Sequence, residues 1–138
     1  MSARLGQKMA TRKGAVEAEP QPTITTFCPR FHRAVELIGK RWSGAILRVL
    51  FTGPHRFNEI LAGIPGLSDR LLSERLRELE TEELVVRHVF AGPPIRSEYE
   101  LTERGRDLEP VIRDLSTWAE RWIELSAEPA LLAEGPAR

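Results

Sequence analysis

A mainly α fold completed by one small antiparallel β-hairpin (α+β) is predicted by three observations. Apolar residues keep helical spacing from Phe31 to Glu82, broken by turns rich in glycine and proline. Between Val85 and Leu101 the period falls to two, as in a strand whose side chains alternate between faces. Beyond Thr102 the helical spacing returns and runs to Leu125.

Each element follows from local chemistry. Phe31, Val35 and Ile38 mark a first helix, which Gly39 stops. Ser43 is the expected N-cap of a second, with Ile46, Leu47 and Leu50 on one face and Gly53-Pro54 at its end. A short helix from Phe57 to Leu61 precedes the turn Gly63-Ile64-Pro65-Gly66. Ser68 then caps a helix from Asp69 to about Glu82. Val85, Arg87 and Val89 alternate with Val86, His88 and Phe90 in a strand. Gly92-Pro93-Pro94 makes a loop, and Ser97 to Leu101 returns with Tyr99 and Leu101 on one face. Thr102 caps the last helical region, and Pro110 kinks or restarts it. Helix, turn, capped helix and hairpin in this order make a winged helix-turn-helix.

The folded domain is expected over residues 27–126, between a disordered tail at 1–26 and a flexible tail at 127–138, both lacking apolar periodicity. A chain of 138 residues can build one core without disulfides. The one cysteine fits a reducing, cytoplasmic setting. No apolar run reaches the roughly 18 residues of a membrane span, and the N-terminus has no apolar segment of a secretory signal.

The net charge is zero, but its distribution is uneven. From Cys28 to Phe57, Arg30, Arg33, Lys40, Arg41, Arg48 and Arg56 face one acid, Glu36. Asn58 to Leu84 holds three arginines and seven acids. A basic face on a neutral chain can attract phosphates, although solvated helix surfaces would give the same count. On a helical wheel Arg70, Ser73, Glu74 and Arg77 gather on one side of the helix that Ser68 caps, and Leu72, Leu76 and Leu79 gather on the opposite side. The leucine face packs inward and the other is free for a major groove, where Arg reads guanine and Ser or Glu read other edges. An ordinary amphipathic helix fits the wheel equally; the neighbouring turn and hairpin favour DNA.

The expected DNA-facing set is therefore Ser68, Asp69, Arg70, Ser73, Glu74 and Arg77 on this helix. Arg96 and Arg87 join it from the wing, and Lys40, Arg41, Ser43 and Arg56 as phosphate contacts. Arg96 has the alternative of pairing with Glu98. Trp42 reads as core rather than a base-stacking platform.

The motifs CPRFH, LIG…W, GPxRFNEI, IPGLS, LxxRLRELE and YxLTxxG, together covering Cys28 to Trp122, resemble the HxlR family of bacterial winged-helix transcription regulators, relatives of the MarR group. The resemblance implies a DNA-binding regulator, more often a repressor, that binds an inverted repeat in double-stranded DNA as a homodimer joined through its terminal helices. Phe31, Val35, Leu115, Trp118, Trp122 and Leu125 are the expected interface. The C-terminal stripe alone offers more apolar surface than a small core uses, although packing within the chain is the other outlet. The sequence departs from many relatives at Lys40 and Glu83, where they carry glycine, and in PPIRSEY, where PPRVEY is commoner. Glu83 predicts a slightly different helix end.

Some members of the family sense electrophiles or oxidants with a cysteine at the position of Cys28. A thiol at a helix N-terminus beside Arg30, His32 and Arg33 is placed to favour thiolate; an inert buried thiol is the alternative. An oxidant or small molecule is thus a candidate effector. Cys28 and His32 are too few for a metal site, and neither metal nor cofactor is expected. No phosphate loop, GxSxG or HExxH occurs, so no enzyme is expected. The competing function is a winged-helix module that binds only protein.

Overall fold

The computed structural model describes residues 24–125, so the expected C-terminal tail and nearly all of the N-terminal one lie outside the described residues. The described residues fall into two units, one up to Val35 and one from Glu36 onward.

In the first unit, residues 24–28 carry no regular structure and helix α1 (Pro29–Ile38) begins, continuing into the second. Pro29 takes the first helical position, where its missing N–H costs nothing. Cys28 occupies the cap, and its Sγ accepts the Phe31 N–H at 3.4 Å. The Phe27 and His32 rings lie 5.6 Å apart. Phe31 and Val35 are exposed.

The second unit holds α2 (Ser43–Leu50), β1 (His55–Arg56), α3 (Phe57–Gly63), α4 (Asp69–Thr81), β2 (Val85–Phe90), β3 (Arg96–Leu101), α5 (Glu103–Arg106) and α6 (Glu109–Trp122). Ile46, Leu47 and Leu50 of α2, Ile60 of α3, and Leu72, Leu76 and Leu79 of α4 meet in one core. Each such side chain contributes about 1.5–3 kcal/mol by leaving water. Tyr99 and Leu101 of β3 complete it, as the alternation predicts.

Three expectations are corrected. Ser43 is not a cap: Trp42 holds that position in the left-handed region at φ 78°, and Ser43 is already helical and buried. The hairpin belongs to a three-stranded sheet of order β1-β3-β2, with His55 opposite Tyr99 and Arg56 opposite Glu98. Two residues are too few for periodicity to reveal β1. The third concerns the end of α4. Glu83 takes up the left-handed conformation of glycine, φ 63°, and the end is an ordinary Schellman motif. The Leu84 N–H reaches the Leu79 carbonyl at 2.9 Å, the Glu83 N–H reaches that of Glu80 at 2.9 Å, and Leu79 and Leu84 are both buried.

The remaining ends follow the sequence. Ser68 accepts the Leu71 N–H at 3.2 Å, and Thr102 accepts that of Gly105 at 3.0 Å. α3 is held by Glu59, whose carboxylate accepts the Arg56 N–H at 2.9 Å and lies 3.3 Å from the His55 ring. These contacts, the backbone one foremost, hold Glu59 below its ordinary carboxylate range. Pro110 sits in the first turn of α6, restarting the helix after α5.

Gly105 is buried where α5 crosses the start of the sheet: a Cβ there would stand 2.2 Å from the Leu84 carbonyl oxygen. On α6, Ile112 is buried, and Ser116 accepts a hydrogen bond from Arg48 of α2. α6 ends at Trp122, so Leu125 lies beyond the helix that was expected to carry it. Among the described residues, no helix is long and apolar enough to cross a membrane.

Candidate nucleic-acid interface

The outward face of α4 is built as the wheel predicts. Asp69, Arg70 and Arg77 are exposed and Ser73 and Glu74 are half-buried, while Leu72, Leu76 and Leu79 lie in the core. α3 and the Gly63–Gly66 turn come before this helix, and β2 follows it directly. Ser68 is half-buried with its hydroxyl committed to the cap, so it sets where the helix starts.

The charges on this face are not all free. Arg70 binds Glu74 one turn on at 3.0 Å. Lys40 binds Glu78 at 2.8 Å. Arg77 is exposed and stands in no ion pair among the described residues. Thus the Arg70 guanidinium is committed to Glu74, whereas that of Arg77 is open to solvent.

Arg75 is a residue the sequence did not single out. Its side chain is 11% exposed, and its Nε donates to the Arg41 carbonyl at 2.8 Å. A guanidinium with five donors can bond a carbonyl while facing acids, here Glu74 and Glu78, each at 3.7 Å. The bond straps the Gly39–Trp42 turn to α4. The signal is present on the wheel, where Arg75 falls closer to the leucines than to Arg70.

The turn itself carries Lys40 and Arg41, both exposed, with the Arg41 guanidinium 5.1 Å from the centre of the Trp42 ring. Trp42 packs half-buried against the core, as expected, and its indole N–H is buried without a partner. Ser43, the remaining candidate here, has 2% of its surface exposed and cannot offer its hydroxyl to a phosphate. The helix begins one residue earlier than a serine cap requires.

On the wing, Arg96 stands opposite Phe90, its guanidinium 5.6 Å from the ring centre. Arg96 thus stacks on Phe90, and Glu98, two residues on along the same face of β3, forms no ion pair with it among the described residues. Ile95 beside it is exposed. Arg87 is exposed opposite Tyr99, and His88 binds Glu100 at 2.9 Å. Only Val85 of β2 is buried, so the strand leaves the body and projects as a wing should. Arg56 is exposed at the end of β1.

On α6 a second surface stands out. Val111, Leu115, Trp118 and Trp122 repeat at helical spacing, and all are exposed. Cys28 is an exposed free thiol.

The model of the HxlR-like helix-turn-helix family matches residues 37–127. The HTH-type transcriptional regulator YvaP of Bacillus subtilis (strain 168), described as uncharacterised, is 48% identical over 99 residues, spanning 72% of this chain and 92% of the relative. The reduced form of the transcriptional regulator YodB from B. subtilis superimposes with a TM-score of 0.65 at 43% identity, covering 72% of this chain and 97% of that one. The redox regulator HypR in its reduced form does so with a TM-score of 0.64 at 36% identity, covering 67% and 91%.

Proposed function

The chain belongs to the HxlR-like helix-turn-helix family and is a transcriptional regulator, and from that premise we propose that it binds an inverted repeat in double-stranded DNA as a homodimer. α4 enters the major groove and the β2–β3 hairpin follows the neighbouring backbone. The observation that carries this reading is the division of α4 into a leucine face in the core and a polar face in solvent, directly before a projecting hairpin. Arg77 and Arg70, with Ser73 and Glu74, read base edges, while Asp69 lies at the helix start. Lys40, Arg41, Arg56, Arg87 and Arg96 meet phosphates or the minor groove.

The exposed stripe Val111, Leu115, Trp118, Trp122 supports the homodimer, because so much aromatic surface at helical spacing is costly to leave in water. Phe31, Val35 and Leu125 add apolar surface for the same purpose. Two-fold symmetry then sets the readers about 34 Å apart, one turn of DNA.

Cys28 makes the regulator answer oxidants. Its thiol is exposed at a helix cap, and the similar regulator HypR is described as a redox regulator. Two Cys28 thiols, one per subunit, form a disulfide and pass two protons and two electrons to an oxidant such as diamide, which becomes the hydrazine. The linked helices then change the spacing of the readers.

Selection of bound duplexes from a random pool, with and without diamide, tests all of this. A palindromic site is expected, with affinity falling steeply as salt rises and binding altered by diamide in the wild type but not in Cys28→Ser. A module that binds only protein would retain no duplex. An asymmetric site would refute the dimer, and equal diamide responses would refute the sensor.

A further inference from the structure

A short chain of charges joins the Gly39–Trp42 turn to α4. Lys40 Nζ lies 2.8 Å from Glu78 Oε2. The other oxygen of Glu78 lies 3.7 Å from Arg75 Nη1. Arg75 in turn is tied to the Arg41 carbonyl. Glu78 thus has two partners of different kinds. Arg75 is nearly buried and fixed, whereas Lys40 is 50% exposed at the end of a flexible stem.

We propose that Glu78 is a built-in competitor for Lys40, occupying in the free protein the place that a DNA phosphate takes on binding, and that Arg75 is the positioning residue that keeps it there. The inference rests on the DNA-binding reading above. A lysine ammonium is a compact point charge without the bidentate geometry of arginine, so a carboxylate and a phosphate oxygen serve it alike. An exposed pair is worth little in water, so exchange weakens binding without blocking it. When Lys40 leaves, Glu78 still faces Arg75, and no charge is stranded in a dry site. Because Lys40 would meet the backbone, the brake acts on every duplex alike. It holds down sequence-independent attraction and leaves the base-reading side chains Arg70 and Arg77 untouched.

The experiment is a double-mutant cycle read by duplex affinity across a salt series, with the selected operator and a random duplex as probes. Glu78→Gln is expected to tighten both by about two- to five-fold. The slope of log affinity on log salt should stay nearly the same, because Lys40 meets a phosphate in both proteins, whereas Lys40→Met should make it shallower by nearly one. In a Lys40→Met background, Glu78→Gln should tighten neither duplex. Should the gain persist there, general repulsion between an acid and DNA explains it and the competitor role is refuted; no gain in the wild type refutes it too. Arg75→Lys, which loses the fork that holds Glu78 and the Arg41 carbonyl, should tighten both duplexes as Glu78→Gln does, and adding Glu78→Gln should tighten them no further. A variant at Arg75 that lowers Tm while leaving duplex affinity unchanged would show a merely structural strap and overturn the positioning role. Absence of any duplex binding by the wild type would instead refute the function itself, separately from the cycle.

Discussion

Gly105→Ala sets two familiar effects against each other, and the structure decides between them. Gly105 lies in α5, where alanine is the better helix former by roughly 0.5–1 kcal/mol. Its φ is not in the left-handed region, so conformation does not demand glycine there. Space does. The new Cβ would stand 2.2 Å from the Leu84 carbonyl oxygen, and 3.1 Å from both the Leu84 carbonyl carbon and Leu101 Cδ2. The Leu101 methyl can give way, but the carbonyl cannot, because it accepts the Thr102 N–H at 3.0 Å and belongs to the residue that closes α4. Relief requires α5 to retreat by about 1 Å, which stretches that bond and opens the packing of Leu84. Inserting one carbon into a packed site costs about 1–3 kcal/mol, with pinned backbone at the upper end. Set against the helix gain, the net loss is about 2 kcal/mol. For a domain of this size that lowers Tm by about 8–16 °C. Circular-dichroism melts at one matched protein concentration measure it, since association alters Tm. A variant that melts at or above the wild-type temperature would show that helix propensity wins, and the close approach of α5 to Leu84 would be wrong.

Other substitutions probe different links. Glu83→Gly should stabilise the domain by about 0.5 kcal/mol: relief of a left-handed glutamate is worth about 1–2 kcal/mol, offset by unfolded-state entropy and the exposed contact with Arg104. A lower urea midpoint in the variant would contradict the helix end described above. Glu59→Gln should lower Tm at neutral pH. The folded carboxyl titrates below its ordinary value of 4.5, so its contribution is present above that value and fades as pH falls through the lower, folded one. The two melting curves should therefore converge in acid, and a constant gap down to the lowest pH of folding would refute the capping role. Trp118→Glu places a charge in the exposed stripe and should give monomers by sedimentation with weaker operator binding; an unchanged dimer would move the interface off α6. Arg77→Ala should relax base preference, whereas Arg41→Ala should weaken all duplexes alike; the opposite pattern would exchange their roles.

Much of this architecture was legible in the chain because it rests on local rules. The caps at Ser68 and Thr102 depend on one side chain and a backbone N–H three residues on. The leucines of α4 follow the helical period, and Tyr99 and Leu101 the strand period. Family motifs pointed to Gly105 without a reason; the reason is a crossing with Leu84, 21 residues away in sequence. Ser43 looked like a cap because serine commonly is one, but a left-handed Trp42 took the position. β1 was missed because two residues carry no period.

What the sequence alone determined, then, is the order of elements, their inward faces and the presence of a polar helix face before a hairpin. Periodicity and capping suffice for these, since both act within a few residues. What only the tertiary structure decided is which of the charged side chains are committed. Arg75 faces the Arg41 carbonyl across 34 positions and Lys40 faces Glu78 across 38. A charge interacts with whatever the fold brings within a few ångströms, at any sequence separation, so the chain shows which charges exist and only folding shows which are spent.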